Sequence, residues 1–312
     1  MAEIKKELLI IGAGPAGLGA ALYARRADID FEITEKHMPG GQIVNTEFIE
    51  NYLGSKKESG FELIQGFVGH CKELDIEVKE YSSIASIEPV KGKNQFKCKV
   101  YDSDHTYKVS SIIMATGASP KRLNLKGEKE LIGSGISFCA TCDGALYRDK
   151  VVAVVGGGDT AVEEALFLAK FASTVYIIHR RDELRAVQIL QDRAFENKRI
   201  KFLWNTVVDK FVGESKLDHI FIKNLEDKKV SRLDVDGLFE YVGYVPNSKL
   251  VKDLVELDQD GFIVTDQYMR TSRPGIYAAG DVRNTPLRQV ITAVSDGAIA
   301  ATVMDKHMRG LL

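Results

Sequence analysis

The apolar run Leu8-Leu9-Ile10-Ile11 stops abruptly at a glycine-rich hexad, and the same event recurs 144 residues further along the chain. A short, continuous apolar run is the pattern of a strand buried on both faces. The first run feeds Gly12-Ala13-Gly14-Pro15-Ala16-Gly17, then a helical stretch carrying the small residues Ala20, Ala21 and Ala24, then a second strand from Phe31 to Thr34 that ends at Glu35. The second run, Val151-Val152-Ala153-Val154-Val155, feeds Gly156-Gly157-Gly158-Asp159-Thr160-Ala161, a helix over 163–172 and a strand over 174–178. Strand, glycine turn, helix and strand in that order make a βαβ unit.

Other stretches have a different rhythm. Ser111-Ile112-Ile113-Met114 is a buried strand that ends at Ala115-Thr116-Gly117, and Pro120 breaks the chain's regular pattern just beyond it. Near the C-terminus, Gly275-Ile276-Tyr277-Ala278-Ala279 reads as a strand ending at Gly280-Asp281, and 289–303 has helical spacing. Over 84–109 the period shortens to two, with Phe96, Cys98 and Val100 alternating with Lys97 and Lys99, as in a half-exposed antiparallel strand. Residues 118–122 and 243–248 each carry a proline and read as linkers. The predicted class is α/β, with two Rossmann-like, three-layer dinucleotide-binding domains. The second is inserted into the first: 1–117 with 248–312 form one, and 121–244 form the other. A chain of 312 residues accommodates two domains.

Overlaying the two units assigns their ligands. In the first, Gly12 permits the tight turn, Gly14 lets the backbone approach a pyrophosphate, and Gly17 lets the helix pack on the strand. Pro15 and Ala16 open a helix whose free N–H groups face the phosphates. Glu35 stands where a carboxylate accepts hydrogen bonds from a ribose diol. The 144-residue offset lays Gly12 on Gly156, Gly14 on Gly158, Gly17 on Ala161 and Glu35 on His179. The acid is thus replaced by His179-Arg180-Arg181, with Arg185 one turn on. A carboxylate repels the 2′-phosphate of NADPH, whereas guanidinium groups bind it in bidentate fashion. The first unit therefore expects a dinucleotide with a free adenine ribose, and the second NADPH, with Asp159, Thr160 and Ala161 in its helix start. Asp281 can aim a carboxylate at a polar ligand, or serve only as a turn residue.

Composition narrows the class. Charged residues make up 28% and the net charge is −2, so neither nucleic acid nor an anionic membrane is indicated as partner. No apolar stretch approaches a spanning helix, and Met1-Ala2-Glu3-Ile4-Lys5-Lys6-Glu7 lacks the pattern of a signal peptide, so a cytoplasmic protein is expected. Four cysteines do not make a secreted disulfide framework. Two of them form Cys139-Ala140-Thr141-Cys142, followed by Asp143. Such a pair binds zinc, packs as buried thiols or works as a redox couple. Zinc needs about four ligands, and Cys71, Cys98 and His179 are scattered, so no metal is expected. The redox reading is favoured by the two dinucleotide units and by the adjoining acid, which can shuttle protons. Cys71 and Cys98 read as packing residues.

These motifs, together with Gly40-Gly41-Gln42, Glu50-Asn51 and Arg288-Gln289, make the chain resemble the low-molecular-weight thioredoxin reductases of prokaryotes nearly end to end. The resemblance implies an FAD- and NADPH-dependent thioredoxin-disulfide reductase. FAD would contact Gly40, Gly41, Gln42, Asn51, Ala115, Thr116, Gly117, Gly280, Asp281, Arg288, Gln289 and Val290. NADPH would be held through Arg180, Arg181 and Arg185. Cys142 would be the thiol beside the flavin, Cys139 the thiol that attacks the substrate disulfide, and Asp143 the acid/base. The family is homodimeric, and its NADPH domain rotates between two positions. One departure is that Ala145-Leu146 precedes Tyr147, where many relatives have an aromatic residue at the thioredoxin docking site.

Overall fold

The computed structural model describes residues 2–46, 49, 51–56, 58–93, 95–101 and 103–311, with the side chains of Ala2, Asn45, Thr141 and Cys142 outside that description. Two compact units divide the chain: Met1–Ser119 with Val245–Leu312, and Pro120–Tyr244. The chain passes between them twice. Both crossings lie in a two-stranded ribbon, Ala118–Pro120 against Tyr244–Pro246, fastened by the Lys121 N–H to the Gly243 carbonyl at 2.8 Å.

In the first unit Ala2–Ile11 lies between Phe31–Thr34 and His105–Met114, parallel to both. Alternate residues of a strand point to opposite faces. Leu8 and Ile10 accordingly join Ile33, Ile113 and the alanines of the helix Pro15–Arg26. Leu9 and Ile11 join Ile112, Met114, Phe96 and Cys98 on the other face. The strand His105–Met114 does two jobs. Its end pairs in parallel with Ile276–Ala278, while its residues 106–109 pair antiparallel with the strand Phe96–Val100. The predicted half-exposed layer is thus an extension of the same sheet, and its exposed lysines face away from the core. The helix Val290–Met308 packs on the helix Pro15–Arg26 so closely that a Cβ on Gly297 would lie 2.0 Å from the Ala16 carbonyl oxygen.

The second unit has a five-stranded parallel sheet, in the order Ile200–Leu203, Thr174–Ile178, Val151–Val155, Gly237–Glu240, Ile136–Ser137. One face carries Val152, Val154, Val175 and Ile177 against Ala161, Ala165 and Leu168 of the helix Asp159–Leu168. The other carries Ala153, Val155, Ile178 and Leu238 against Val208, Phe211 and Ile220. Those last three belong to an antiparallel sheet, Thr206–Val212, His219–Asn224 and Val230–Leu233, which supplies the third layer. Truncating a fully buried residue such as Ile177 to alanine costs about 2–5 kcal/mol.

Candidate functional site

Backbone pairing reproduces the offset read from the sequence. Leu8 pairs with Phe31, and Val152 with Val175. The Gly12 N–H donates to the Thr34 carbonyl at 2.8 Å, and the Gly156 N–H to the Ile178 carbonyl at 3.1 Å. Both glycines have positive φ, +104° and +152°. Each sits against a carbonyl that leaves no room for a side chain: a Cβ would lie 2.4 Å from the Ala115 oxygen in the first loop and 2.5 Å from the Tyr241 oxygen in the second. Gly14 and Gly158, by contrast, face open space, with nothing nearer than 3.9 Å to a Cβ on Gly14 and nothing within 4 Å at Gly158. Each precedes a helix, so free N–H groups line that space, as a pyrophosphate requires.

Around the first loop, Glu35 accepts the Ala13 N–H at 2.8 Å and the His37 N–H at 3.1 Å. Gly40 donates its N–H to the Ala13 carbonyl at 2.9 Å, bringing Gly40, Gly41 and Gln42 to the loop. Gln42 donates through Nε2 to the Ala118 carbonyl at 3.1 Å. Asn51 and Gln289, distant in sequence, meet through Nδ2 and Oε1 at 3.1 Å; Glu50 lies outside the described residues. Asn247 holds Ala115-Thr116-Gly117: its Nδ2 donates to the Thr116 carbonyl at 2.8 Å, and the Thr116 hydroxyl donates to the Asn247 carbonyl at 2.8 Å. Gly280 packs against Ala16, and Asp281 follows it. Burial raises the Asp281 carboxyl above its ordinary pKa, opposed by Arg288 and reinforced by Asp296. The Arg288 guanidinium lies over the Phe262 ring at 4.2 Å while its buried Nε has no hydrogen-bond partner. An open glycine cradle, an acid at the end of the neighbouring strand and an unsatisfied buried guanidinium nitrogen together fit FAD. Val290 begins the long helix on this side.

Two residues that sequence reasoning missed brace this edge. Asp296 accepts the Gly280 N–H at 3.1 Å and pairs with Arg283 at 3.0 Å, both side chains only 10% exposed. Arg283 also donates through Nε to the Thr265 hydroxyl at 2.7 Å. A lone acid within an apolar helical segment was the available signal for Asp296.

Around the second loop, His179 occupies the position of Glu35 but turns under the loop. It is 5% exposed, and a Cβ on Gly157 would lie 2.4 Å from its Cε1. Gly157 is the counterpart of Ala13, so acid and imidazole each support the second residue of their loop. Burial, then Arg185, Arg181 and Arg180, depress the His179 pKa and keep the ring neutral. The Gly157 carbonyl accepts the N–H groups of Arg185 and Ala186 at 2.7 and 3.2 Å. Asp159 accepts the Val187 N–H at 2.7 Å, tying the helix start to the same segment. Arg180, Arg181 and Arg185 are exposed. With three cations grouped beside an open loop, the donor set fits NADPH. Thr160 and Ala161 lie in the first turn of the helix.

The redox segment is the short helix Ala140–Asp143, preceded by Cys139. Cys139 is disulfide-bonded and partly buried, whereas Cys71 and Cys98 are free and buried. Burial alone pushes the Cys98 thiol up to about 12, so it is inert. The Cys139 N–H donates to the Ser137 hydroxyl at 3.0 Å, and the Asp143 N–H to the Cys139 carbonyl at 3.2 Å. The side chain of Cys142 lies outside the described part. Leu146, at the departure from the resembled pattern, is 69% exposed.

An α/β chain with two such loops and a disulfide-bonded Cys139 in a Cys-x-x-Cys segment has the make-up of a disulfide oxidoreductase that works with two dinucleotides. The sequence matches the pyridine nucleotide-disulphide oxidoreductase family over residues 6–297. It is 45% identical to a thioredoxin reductase of Listeria innocua, over 98% of this chain and 94% of that one. A crystal structure of Lactococcus lactis thioredoxin reductase superposes with a TM-score of 0.93 at 41% identity, covering 98% of this chain and 100% of the other. One of the T. acidophilum enzyme gives 0.91 at 33% identity, covering 98% and 99%. The chain belongs to the pyridine nucleotide-disulphide oxidoreductases and, within them, to the low-molecular-weight thioredoxin reductases. The α/β fold with two Rossmann-like domains, the FAD-dependent oxidoreductase class and the cofactor pair FAD and NADPH stand with that membership. Among the described residues no helix is long and apolar enough to cross a membrane.

Proposed function

We propose that the protein reduces the disulfide of thioredoxin with electrons from NADPH, as a cytoplasmic homodimer. The observation that carries this reading is the bonded Cys139 in a Cys-x-x-Cys segment of the same unit that presents Arg180, Arg181 and Arg185 beside an open glycine loop. Residues 1–117 with 248–312 form the FAD domain in this reading, and 121–244 the NADPH domain. Dimer and compartment rest on the family resemblance.

Bound FAD would supply two-electron transfer between NADPH and the Cys139–Cys142 disulfide. Glu35 would orient the adenine ribose, the loops over 12–17 and 156–161 would hold the pyrophosphates, and Arg180, Arg181 and Arg185 would hold the 2′-phosphate. Asp281, Arg288, Gln289 and Asn51 would hold the remaining polar groups of the flavin cofactor. Once the pair is reduced, the Cys139 thiolate attacks one sulfur of the substrate disulfide and displaces the other as thiolate. Asp143 takes the proton from the Cys142 thiol and delivers it to that leaving sulfur. The Cys142 thiolate then attacks Cys139 in the mixed disulfide, re-forming the intramolecular bond and releasing the second substrate sulfur as a thiolate, which takes its proton from solvent. Two electrons and two protons pass to the substrate. A difference of about 30 mV between the two couples would amount to only ~1.4 kcal/mol.

Steady-state NADPH oxidation with a panel of acceptors tests the reading: thioredoxin, a glutaredoxin-like protein and a peroxide-reducing disulfide protein. Thioredoxin is expected to give the highest kcat/KM. A higher value for another disulfide protein would keep the chemistry and replace the partner.

A further inference from the structure

We propose that Tyr241 is a positioning residue that clamps the redox segment to the second dinucleotide loop. The proposal rests on the disulfide-reductase reading above and adds a residue to it. Tyr241 has a structural counterpart in the first unit. The Ala115 N–H donates to the Ile11 carbonyl at 2.9 Å, and the Tyr241 N–H donates to the Val155 carbonyl at 2.8 Å. The carbonyls of Ala115 and Tyr241 form the back wall of a glycine turn, against Gly12 and Gly156. The first unit places a methyl group there. The second places a phenol, and the phenol reaches the chemistry.

The Tyr241 hydroxyl accepts the Ala140 N–H at 2.9 Å. It also hydrogen-bonds the side chain of Glu164, on the helix Asp159–Leu168 that starts at the same loop. A backbone amide only donates, so the hydroxyl accepts from Ala140 and its own proton is left for Glu164. Burial, with the Glu164 charge next, holds the phenol protonated well above its ordinary range, so the donor is always present. Ala140 is fully buried. Its amide therefore has no water to turn to when the hydroxyl is missing. One side chain thus joins the loop, the helix behind it and the segment that carries Cys139. Dithiol exchange needs the attacking sulfur held in line with the bond it breaks, and a misplacement of about 1 Å costs roughly 100-fold in rate.

The test compares Tyr241→Phe, Glu164→Gln and Glu164→Leu with the wild-type holoenzyme. Two readouts need neither thioredoxin nor NADPH: amide hydrogen exchange over residues 139–143, and the pH profile of iodoacetamide alkylation of the dithiothreitol-reduced protein. Tyr241→Phe is expected to lose about 10-fold of exchange protection over that segment, the scale of one buried hydrogen bond, and to shift the alkylation profile. In turnover, kcat for thioredoxin falls while KM for NADPH is unchanged. Glu164→Gln, which still offers an acceptor oxygen, behaves as wild type, and Glu164→Leu follows Tyr241→Phe. Wild-type exchange and alkylation in a folded Tyr241→Phe overturn the proposal. If that variant does not fold, the two Glu164 variants decide: a difference between them supports the clamp, and equal behaviour overturns it. Failure of the wild type to reduce thioredoxin would instead strike the functional reading and leave these two readouts standing.

Discussion

Glu35 holds the amide of Ala13 at 2.8 Å, and thereby fixes the first glycine loop from the end of the neighbouring strand. One carboxylate braces the loop and, in the proposed function, also accepts hydrogen bonds from the ribose. Glu35→Ala should weaken FAD retention about 10- to 100-fold, the worth of a charge-assisted hydrogen bond. FAD content after gel filtration and titration of the apoprotein measure this. Unchanged affinity would remove Glu35 from the site.

In the proposed function the three guanidinium groups of Arg180, Arg181 and Arg185 set the cofactor preference. Arg181→Ala is expected to raise KM for NADPH roughly 10- to 100-fold and to leave NADH nearly unaffected, because only the 2′-phosphate is lost as a partner. Added salt should narrow the gap between wild type and variant. Initial rates with the two nucleotides check both effects.

Trp204 is the only tryptophan of the chain, which makes it a site-specific reporter. Its ring stacks on Phe202 at 5.0 Å with a 6° interplanar angle, and it stands edge-on to His179 at 6.5 Å. NADP+ binding should change its emission, and the change should be absent in an Arg180→Ala, Arg181→Ala double variant. An identical response in that variant would place the nucleotide elsewhere.

Glu240 gives the fold a pH signature. It is fully buried, and burial, then the neighbouring Glu128, raise its pKa from 4.5 to about 7. The folded-state pKa is raised, so between pH 4.5 and 7 the folded chain binds more protons than the unfolded one. Stability from this group is complete below the unfolded pKa and is lost as pH rises through about 7. Glu240→Gln should flatten that decline and be the more stable form at pH 8, by roughly 1–3 kcal/mol. Urea unfolding at about pH 5.5 and about pH 8, either side of the raised pKa, compares the two.

The parts legible in the sequence were those with short-range signatures. Continuous apolar runs ending in glycine located both βαβ units, and the offset that lays Glu35 on His179 is repeated in the strand register. Long-range bracing was not legible. Asn247 meets Thr116, and Arg283 meets Asp296, through folding that no local spacing encodes. The antiparallel sheet over 206–233 was hidden for a local reason. Asp209 and Lys210 interrupt its alternation where the register shifts between Val208 and Lys210. His179 was found by position, while its inward turn depends on Gly157 having no side chain. Tyr241 gave no signal at all, since its role comes from Ala140 and Glu164 lying on separate elements.

In the proposed reaction electrons leave the protein through Cys139, and single-turnover and steady-state assays of Cys139→Ser with NADPH and thioredoxin test this. In that variant NADPH should still bleach the flavin absorbance at the wild-type rate while thioredoxin reduction falls below measurement. Thioredoxin turnover retained in Cys139→Ser would rule out Cys139 as the exit.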